Sequence, residues 1–114
     1  MKLLIAGSRS ITNFDLAPYI PDDVDEIISG GAYGIDTLAE KYADLHRISK
    51  HIIRPQYHLY NRAAPIKRNL EMVLLADKVL VIWDGVSRGT LSTINFAKEH
   101  NKPTMVININ KTGK

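Results

Sequence analysis

Cysteine is absent from this chain, which removes disulfides, thiolate nucleophiles and cysteine-ligated zinc together. The four histidines, His46, His51, His58 and His100, show no close ligand spacing, so a histidine-built metal centre is not expected either. No apolar run approaches the roughly 20 residues that a membrane-spanning helix needs, and the N-terminus passes straight into a strand-like segment. A cytoplasmic location is the resulting expectation, with no membrane partner. Excess charge is scarce too: 15 Lys and Arg against 12 Asp and Glu leave +3, which permits an anionic partner but is modest for gripping a nucleic-acid backbone. Repeats, linkers and low-complexity segments are also missing, and 114 residues suffice for one core but not two, so a single domain is expected.

What the chain does have is alternation. Leu3 to Ala6, Val24 to Ile28, His51 to Arg54, Val79 to Ile82 and Thr104 to Ile109 read as five strands. Between them, a short helix is expected near Asn13 or Asp15, ending at Pro21. A second runs from Ile35 to Ile48 with Ile35, Leu38, Ala39, Tyr42 and Leu45 on its apolar side. A third carries Ile66, Leu70, Val73 and Leu74, and a last one Leu91, Ile94 and Ala97. Gln56 to Pro65 lacks periodicity and reads as a long loop, and residues 110–114 read as a frayed polar tail. Short alternating strands and helices imply an α/β domain with a doubly wound, Rossmann-like parallel sheet. Because the first and fourth strands are the most continuously apolar, the expected order is 3-2-1-4-5, with a crevice at their carboxyl ends.

Two glycine turns open towards that crevice, Ser29 to Asp36 and Asp84 to Thr90, each followed by a helix whose positive end faces the turn. An anion is the natural guest of such a turn. Gly30-Gly31-Ala32-Tyr33-Gly34 lacks the G-x-G-x-x-G spacing, and Arg54 stands at the end of the next strand where an acidic residue would hold a ribose, so an NAD site is not expected. Thr112-Gly113-Lys114 mimics the end of a Walker motif with no room for the helix that must follow. Main-chain N–H groups of the two turns, the Ser87 and Thr90 hydroxyls and Arg68 form the expected phosphate cradle. Arg68 is placed near a helix start, where its charge opposes the dipole unless an anion compensates. Arg9 and Arg88 have similar claims, while Tyr33, Tyr60 and Trp83 are candidates to stack on a base or ribose. Met72 is either an apolar wall below the phosphate or core.

Gly7-Ser8-Arg9, Ser29 to Asp36, Pro65-Ile66-Lys67-Arg68-Asn69 and Ser87-Arg88-Gly89-Thr90-Leu91 together resemble motifs of the Smf/DprA (DNA-processing protein A) Rossmann-like domain. Arg68 to Met72 followed by a Gly-Thr turn also resembles the lonely-guy phosphoribohydrolases, with their R-K-x-x-M and P-G-G-x-G-T-x-x-E patterns. Both belong to the SLOG superfamily. Tyr60 to Asn69 and Trp83-Asp84-Gly85-Val86-Ser87-Arg88-Gly89-Thr90 are most similar to its small, stand-alone, mostly uncharacterised members. The resemblance implies a nucleotide or nucleotide-derived ligand on Gly7, Ser8, Arg9, Gly30, Gly31, Ala32, Gly34, Asp36, Arg68, Asn69, Gly85, Ser87, Arg88, Gly89 and Thr90, with no cofactor or metal. It also offers two alternatives, a nucleoside-monophosphate N-glycosidase and a single-stranded nucleic-acid binder. The chain departs from the lonely-guy pattern at Thr93, where the catalytic Glu belongs, leaving Asp36 and Asp84 as candidate catalytic carboxylates and Glu71 as a solvated helix charge. Surplus apolar residues at Tyr57, Leu59, Tyr60, Met72 and Leu75 suggest a homo-oligomeric contact.

Overall fold

The two most apolar runs form β1 (Lys2–Gly7) and β4 (Lys78–Trp83), which pair in parallel with Leu4 opposite Val79 and Ala6 opposite Val81. The computed structural model describes residues 1–109; the tail 110–114 lies outside the described residues. β2 (Glu26–Ser29) adds to the free side of β1 and β3 (Ser49–Ile52) to β2, while β5 (Thr104–Asn108) adds to β4. All pairings are parallel, so the sheet is a five-stranded α/β sheet in the order 3-2-1-4-5, the arrangement that the apolar runs imply.

Side chains alternate across this sheet into two cores. On one face Leu3, Ile5, Ile27, Leu80 and Ile82 meet α1 (Ile35–Leu45) through Ile35, Ala39 and Ala43. On the other, Leu4, Ala6, Ile28, Val79 and Val81 meet α3 (Ala64–Leu75) and α4 (Arg88–Glu99) through Met72, Val73, Ile94 and Ala97. Among the described residues no helix is long and apolar enough to cross a membrane.

Several local expectations are corrected. The first helix is only a 3-10 turn, Ala17–Tyr19, because Pro18 and Pro21 confine it; Asp15 still accepts the Ala17 N–H at 3.1 Å. β3 begins two residues early, since Arg47, at φ 57°, turns the chain directly from α1 into the sheet. The aperiodic stretch holds α2 (Tyr57–Tyr60) and a 3-10 turn (Asn61–Ala63) that lead into α3 with Pro65 in its first turn, where a missing N–H costs nothing. α1 stops at Leu45, which is 78% exposed.

The buried face of α3 is also rotated from the expected one. Ala64, Asn69, Met72 and Val73 are buried, whereas Ile66 and Leu74 are 52% and 51% exposed. α3 packs closely along α4 on the same face of the sheet, so Ala64, Asn69, Met72 and Val73 occupy the contact and Ile66 and Leu74 are turned outward. Met72 is core, only 3% exposed, yet also lines the crevice at the carboxyl ends of the strands, so both readings of it hold and it leaves the surplus apolar surface; Leu91 of α4 is more exposed than its spacing suggests.

Candidate functional site

The sheet order reverses between β1 and β4, and a cavity of about 450 Å³ opens at their carboxyl ends. Gly7, Arg9, Ala32, Asp36, Arg68 and Asn69 line one part of it, and Asp84, Ser87, Arg88, Gly89 and Thr90 line another. Ser8, Gly30, Gly31, Gly34 and Gly85 are not among the residues that line it, nor are the three aromatic candidates. Tyr33 is 80% exposed, Tyr60 lies under the Lys67 ammonium at 5.0 Å, and the Trp83 indole N–H closes the β4 to α4 turn by donating to the Ser87 carbonyl at 3.0 Å.

The first glycine turn is packed and bonded mostly within itself, although the Asp36 and Thr37 N–H groups have no partner among the described residues. At Gly34, φ 77° and ψ −126° place the backbone where a side chain is strained, and a Cβ would run into the carbonyls of Ser8 and Arg9. A Cβ on Gly30 would meet the Arg68 guanidinium and the Asp36 carboxylate. Asp36, in the first turn of α1, reaches back to accept the Ala32 N–H at 3.1 Å, while the Gly31 N–H goes to the Ser29 hydroxyl and the Ile35 N–H to the Ser8 carbonyl. The positive end of α1 is thus already occupied by a carboxylate belonging to the helix itself. Burial raises the pKa of Asp36; the Ala32 N–H and the charge of Arg68 oppose that rise.

The second turn is built differently. Asp84 accepts the N–H groups of Val86 and Ser87 at 2.9 and 2.8 Å on one oxygen, and the hydroxyls of Ser87 and Ser10 at 2.9 and 3.2 Å on the other. Its own N–H donates to the buried Ser8 hydroxyl at 3.0 Å, tying β4 to β1. Partial burial pushes its carboxyl up, but the two N–H groups and the Ser87 hydroxyl outweigh it and hold the pKa well below the usual carboxylate range. These bonds are spent ahead of the helix. The N–H groups of Arg88, Gly89 and Thr90, in the first turn of α4, have no partner among the described residues, and neither has the Thr90 hydroxyl, although Thr90 is only 7% exposed. Gly89 has negative φ, and a Cβ there would meet nothing within 4 Å.

Arg68 braces the site. Its Nη1 donates to the carbonyls of Gly30 and Ile53 at 2.8 and 3.3 Å and its Nε to the Asn69 Oδ1 at 2.9 Å. Nη2 has no partner among the described residues. Burial lowers its pKa, opposed by Asp36 and Tyr57 and assisted by Arg9. Asn69 passes the linkage on, donating to the Gly89 carbonyl at 3.2 Å and the Ser92 hydroxyl at 3.3 Å. Its amide is therefore a strut between α3 and α4. Arg54, the residue at the ribose position of an NAD fold, donates to the Gly31 carbonyl at 3.1 Å.

Sequence reasoning missed Ala6, Ser10 and Pro65 as lining residues, and read Thr93 only as a departure from a pattern; it lines the cavity and donates to the Gly89 carbonyl at 3.4 Å. Ser10 follows a motif without belonging to it, so only the fold brings it to Asp84. Comparisons with known protein families, with characterised proteins and with solved structures return no significant match to this chain.

Proposed function

We propose that this crevice binds a nucleotide or nucleotide-derived phosphorylated ligand, as the SLOG-like motifs imply, with a phosphoryl group at the start of α4. The observation that carries this reading is Gly89. Glycine inside a helix costs about 1 kcal/mol relative to alanine. Here neither backbone conformation nor crowding requires it. A Cβ-free surface beside three unpaired N–H groups and the Thr90 hydroxyl is what close approach of an anion needs. Arg88 at the same turn and the free edge of Arg68 add charge-assisted donors. Isothermal titration with nucleoside monophosphates tests the reading. At a hundredfold excess over Kd, such a ligand raises stability by about 2.7 kcal/mol. Absence of heat and of thermal stabilisation at millimolar phosphorylated ligand refutes it, and a salt-sensitive gel shift with oligonucleotides would favour single-stranded nucleic acid instead.

One observation favours a hydrolytic version. Asp36 is a crevice carboxyl with a raised pKa, suited to protonating a departing base while water adds at the sugar C1′, giving free base and ribose 5-phosphate. Chromatographic detection of free base, lost in Asp36→Asn while binding persists, distinguishes an enzyme from a binder. Asp84 has no part in that chemistry in this reading, because its oxygens are committed to the turn.

The reading also includes self-association. Ile66 and Leu74 are exposed on α3, with the half-buried Leu70 between them at helical spacing, and Leu59 is exposed on α2. The same helix carries Arg68 and Asn69, so a second copy of this chain on that stripe would pack beside the crevice.

A further inference from the structure

The crevice offers a base no stacking partner. No aromatic side chain lines it, and its apolar lining, Ala6, Ala32, Pro65 and Met72, is small or flexible. Bases are ordinarily held against a flat π face. The stretch from Gln56 to Ala63, made of α2 and the 3-10 turn after it, carries two such faces, Tyr57 and Tyr60. Both ends of this stretch are fixed at the crevice: Ile53, just ahead of it, gives its carbonyl to Arg68, and Pro65, just beyond it, lines the cavity.

Between those ends the stretch has little hold on the domain. Every residue from Gln56 to Ala63 is exposed, and among the described residues none of their side chains hydrogen-bonds or forms an ion pair with the rest of the chain. At the junction of α2 with the 3-10 turn stands a strained residue: Asn61 has φ 51° and ψ −124°, far from the left-handed helical well that asparagine tolerates. Arg47 and Asn101 also have positive φ, but each ends a helix in the usual way, with the Ile48 N–H on the Ala43 carbonyl at 2.8 Å and the Lys102 N–H on the Ala97 carbonyl at 2.9 Å. Rotation at Asn61 relieves its strain and swings α2 relative to α3. Tyr60, next to that hinge, has its ring under the Lys67 ammonium. Tyr57, at the far end of α2, is 56% exposed, and it lies near enough to Arg68 to oppose the lowering of that residue's pKa.

Resting on the phosphate-binding reading, we infer that the ligand carries an aromatic base and that α2 closes over it, turning at the strained Asn61 and laying the Tyr57 ring against the base. Titration calorimetry with AMP, GMP and ribose 5-phosphate tests this, since the sugar phosphate keeps the phosphoryl group and lacks the base. Both nucleotides are expected to bind about tenfold tighter than ribose 5-phosphate, because every base has a π face. Tyr57→Ala is expected to abolish that advantage and leave ribose 5-phosphate unchanged, Tyr57→Phe to keep it, and Tyr33→Ala to change neither. Asn61→Gly removes the strain from the open form, so closure no longer relieves it, and nucleotide affinity is expected to fall about fivefold. Nucleotides no tighter than the sugar phosphate, an advantage that survives Tyr57→Ala, or a loss shared equally by all three ligands overturns the Tyr57 contact. Unchanged nucleotide affinity in Asn61→Gly overturns the closure. In each of these cases ribose 5-phosphate binding keeps the broader reading, and binding of none of the three overturns both.

Discussion

The two glycine turns start from the same parts, a strand end, a glycine-rich bend, an aspartate and the N-terminus of a helix, and arrive at opposite states. In the turn before α1 the aspartate sits inside the helix and folds back over the loop, so the dipole and the Ala32 N–H are answered from within. In the turn before α4 the aspartate sits ahead of the helix, takes the N–H groups of Val86 and Ser87, and leaves the next three unanswered. The position of one carboxylate relative to the helix start decides which N–H groups of the turn are taken and which are left open. Glycine follows the same division: Gly34 is demanded by conformation and crowding, Gly89 by neither.

Exchanging these glycines is the hardest blow to that comparison. Gly34→Ala forces a side chain into a conformation open essentially to glycine alone, against the Ser8 and Arg9 carbonyls, and is expected to cost about 3 kcal/mol. Urea unfolding measures the loss; a cost near zero would mean that the first turn is not the tight joint described. Next in size is Asp84→Ala, which orphans the Val86 and Ser87 N–H groups and the Ser87 hydroxyl and is expected to cost about 2 kcal/mol. That loss shrinks in acid. The folded pKa of Asp84 lies below its ordinary 3.8, so its contribution is complete above that value and fades as pH falls towards the folded pKa.

Gly89→Ala has the opposite sign. With open space at the Cβ and helical φ, alanine is expected to stabilise the protein by about 0.5–1 kcal/mol while weakening phosphate-ligand affinity about tenfold or more. A variant that gains stability and keeps its affinity would leave the glycine unexplained and remove the main support for the site. The apolar stripe of α3 gives a smaller effect on the fold: Ile66→Glu with Leu74→Glu is expected to leave the melting temperature nearly unchanged and to convert any assembly to a 12.8 kDa species in light scattering. An assembly that survives both substitutions uses another surface.

The sheet order was legible because Leu3 to Ala6 and Val79 to Ile82 are apolar without interruption, and only central parallel strands are buried on both faces. The crevice followed from that order and from the glycines. What the sequence could not show was which polar groups are already satisfied. Periodicity aimed α3 by Ile66 and Leu74, but its close contact with α4 selects Asn69 and Ala64 instead, and this rotation is what makes Asn69 a strut. Likewise, Asp36 and Asp84 look equivalent in sequence; only the fold puts Ser10 and Ser87 on one and buries the other.

The finest test of the comparison is the pH dependence of those two aspartates, which carry opposite linkage. Asp36 has a folded pKa above 3.8, because burial disfavours its charged form more than Ala32 and Arg68 favour it. Between the unfolded and folded values the native state binds more protons than the unfolded chain, so stability from this group declines as pH rises through that window and is constant beyond it. Asp36→Asn retains a side-chain oxygen for the Ala32 N–H without an ionisation, and is expected to flatten this decline. The diagnostic is the slope of unfolding free energy against pH, from urea titrations starting near pH 4, compared between wild type and variant. A shallower fall in the variant supports the buried, self-capped carboxylate. An unchanged slope means that burial does not raise the Asp36 pKa, and a slope that rises in the wild type and vanishes in the variant means that Asp36 is ionised as readily as Asp84. The first turn would then hold an exposed anion repelling a phosphate rather than a sealed joint beside it.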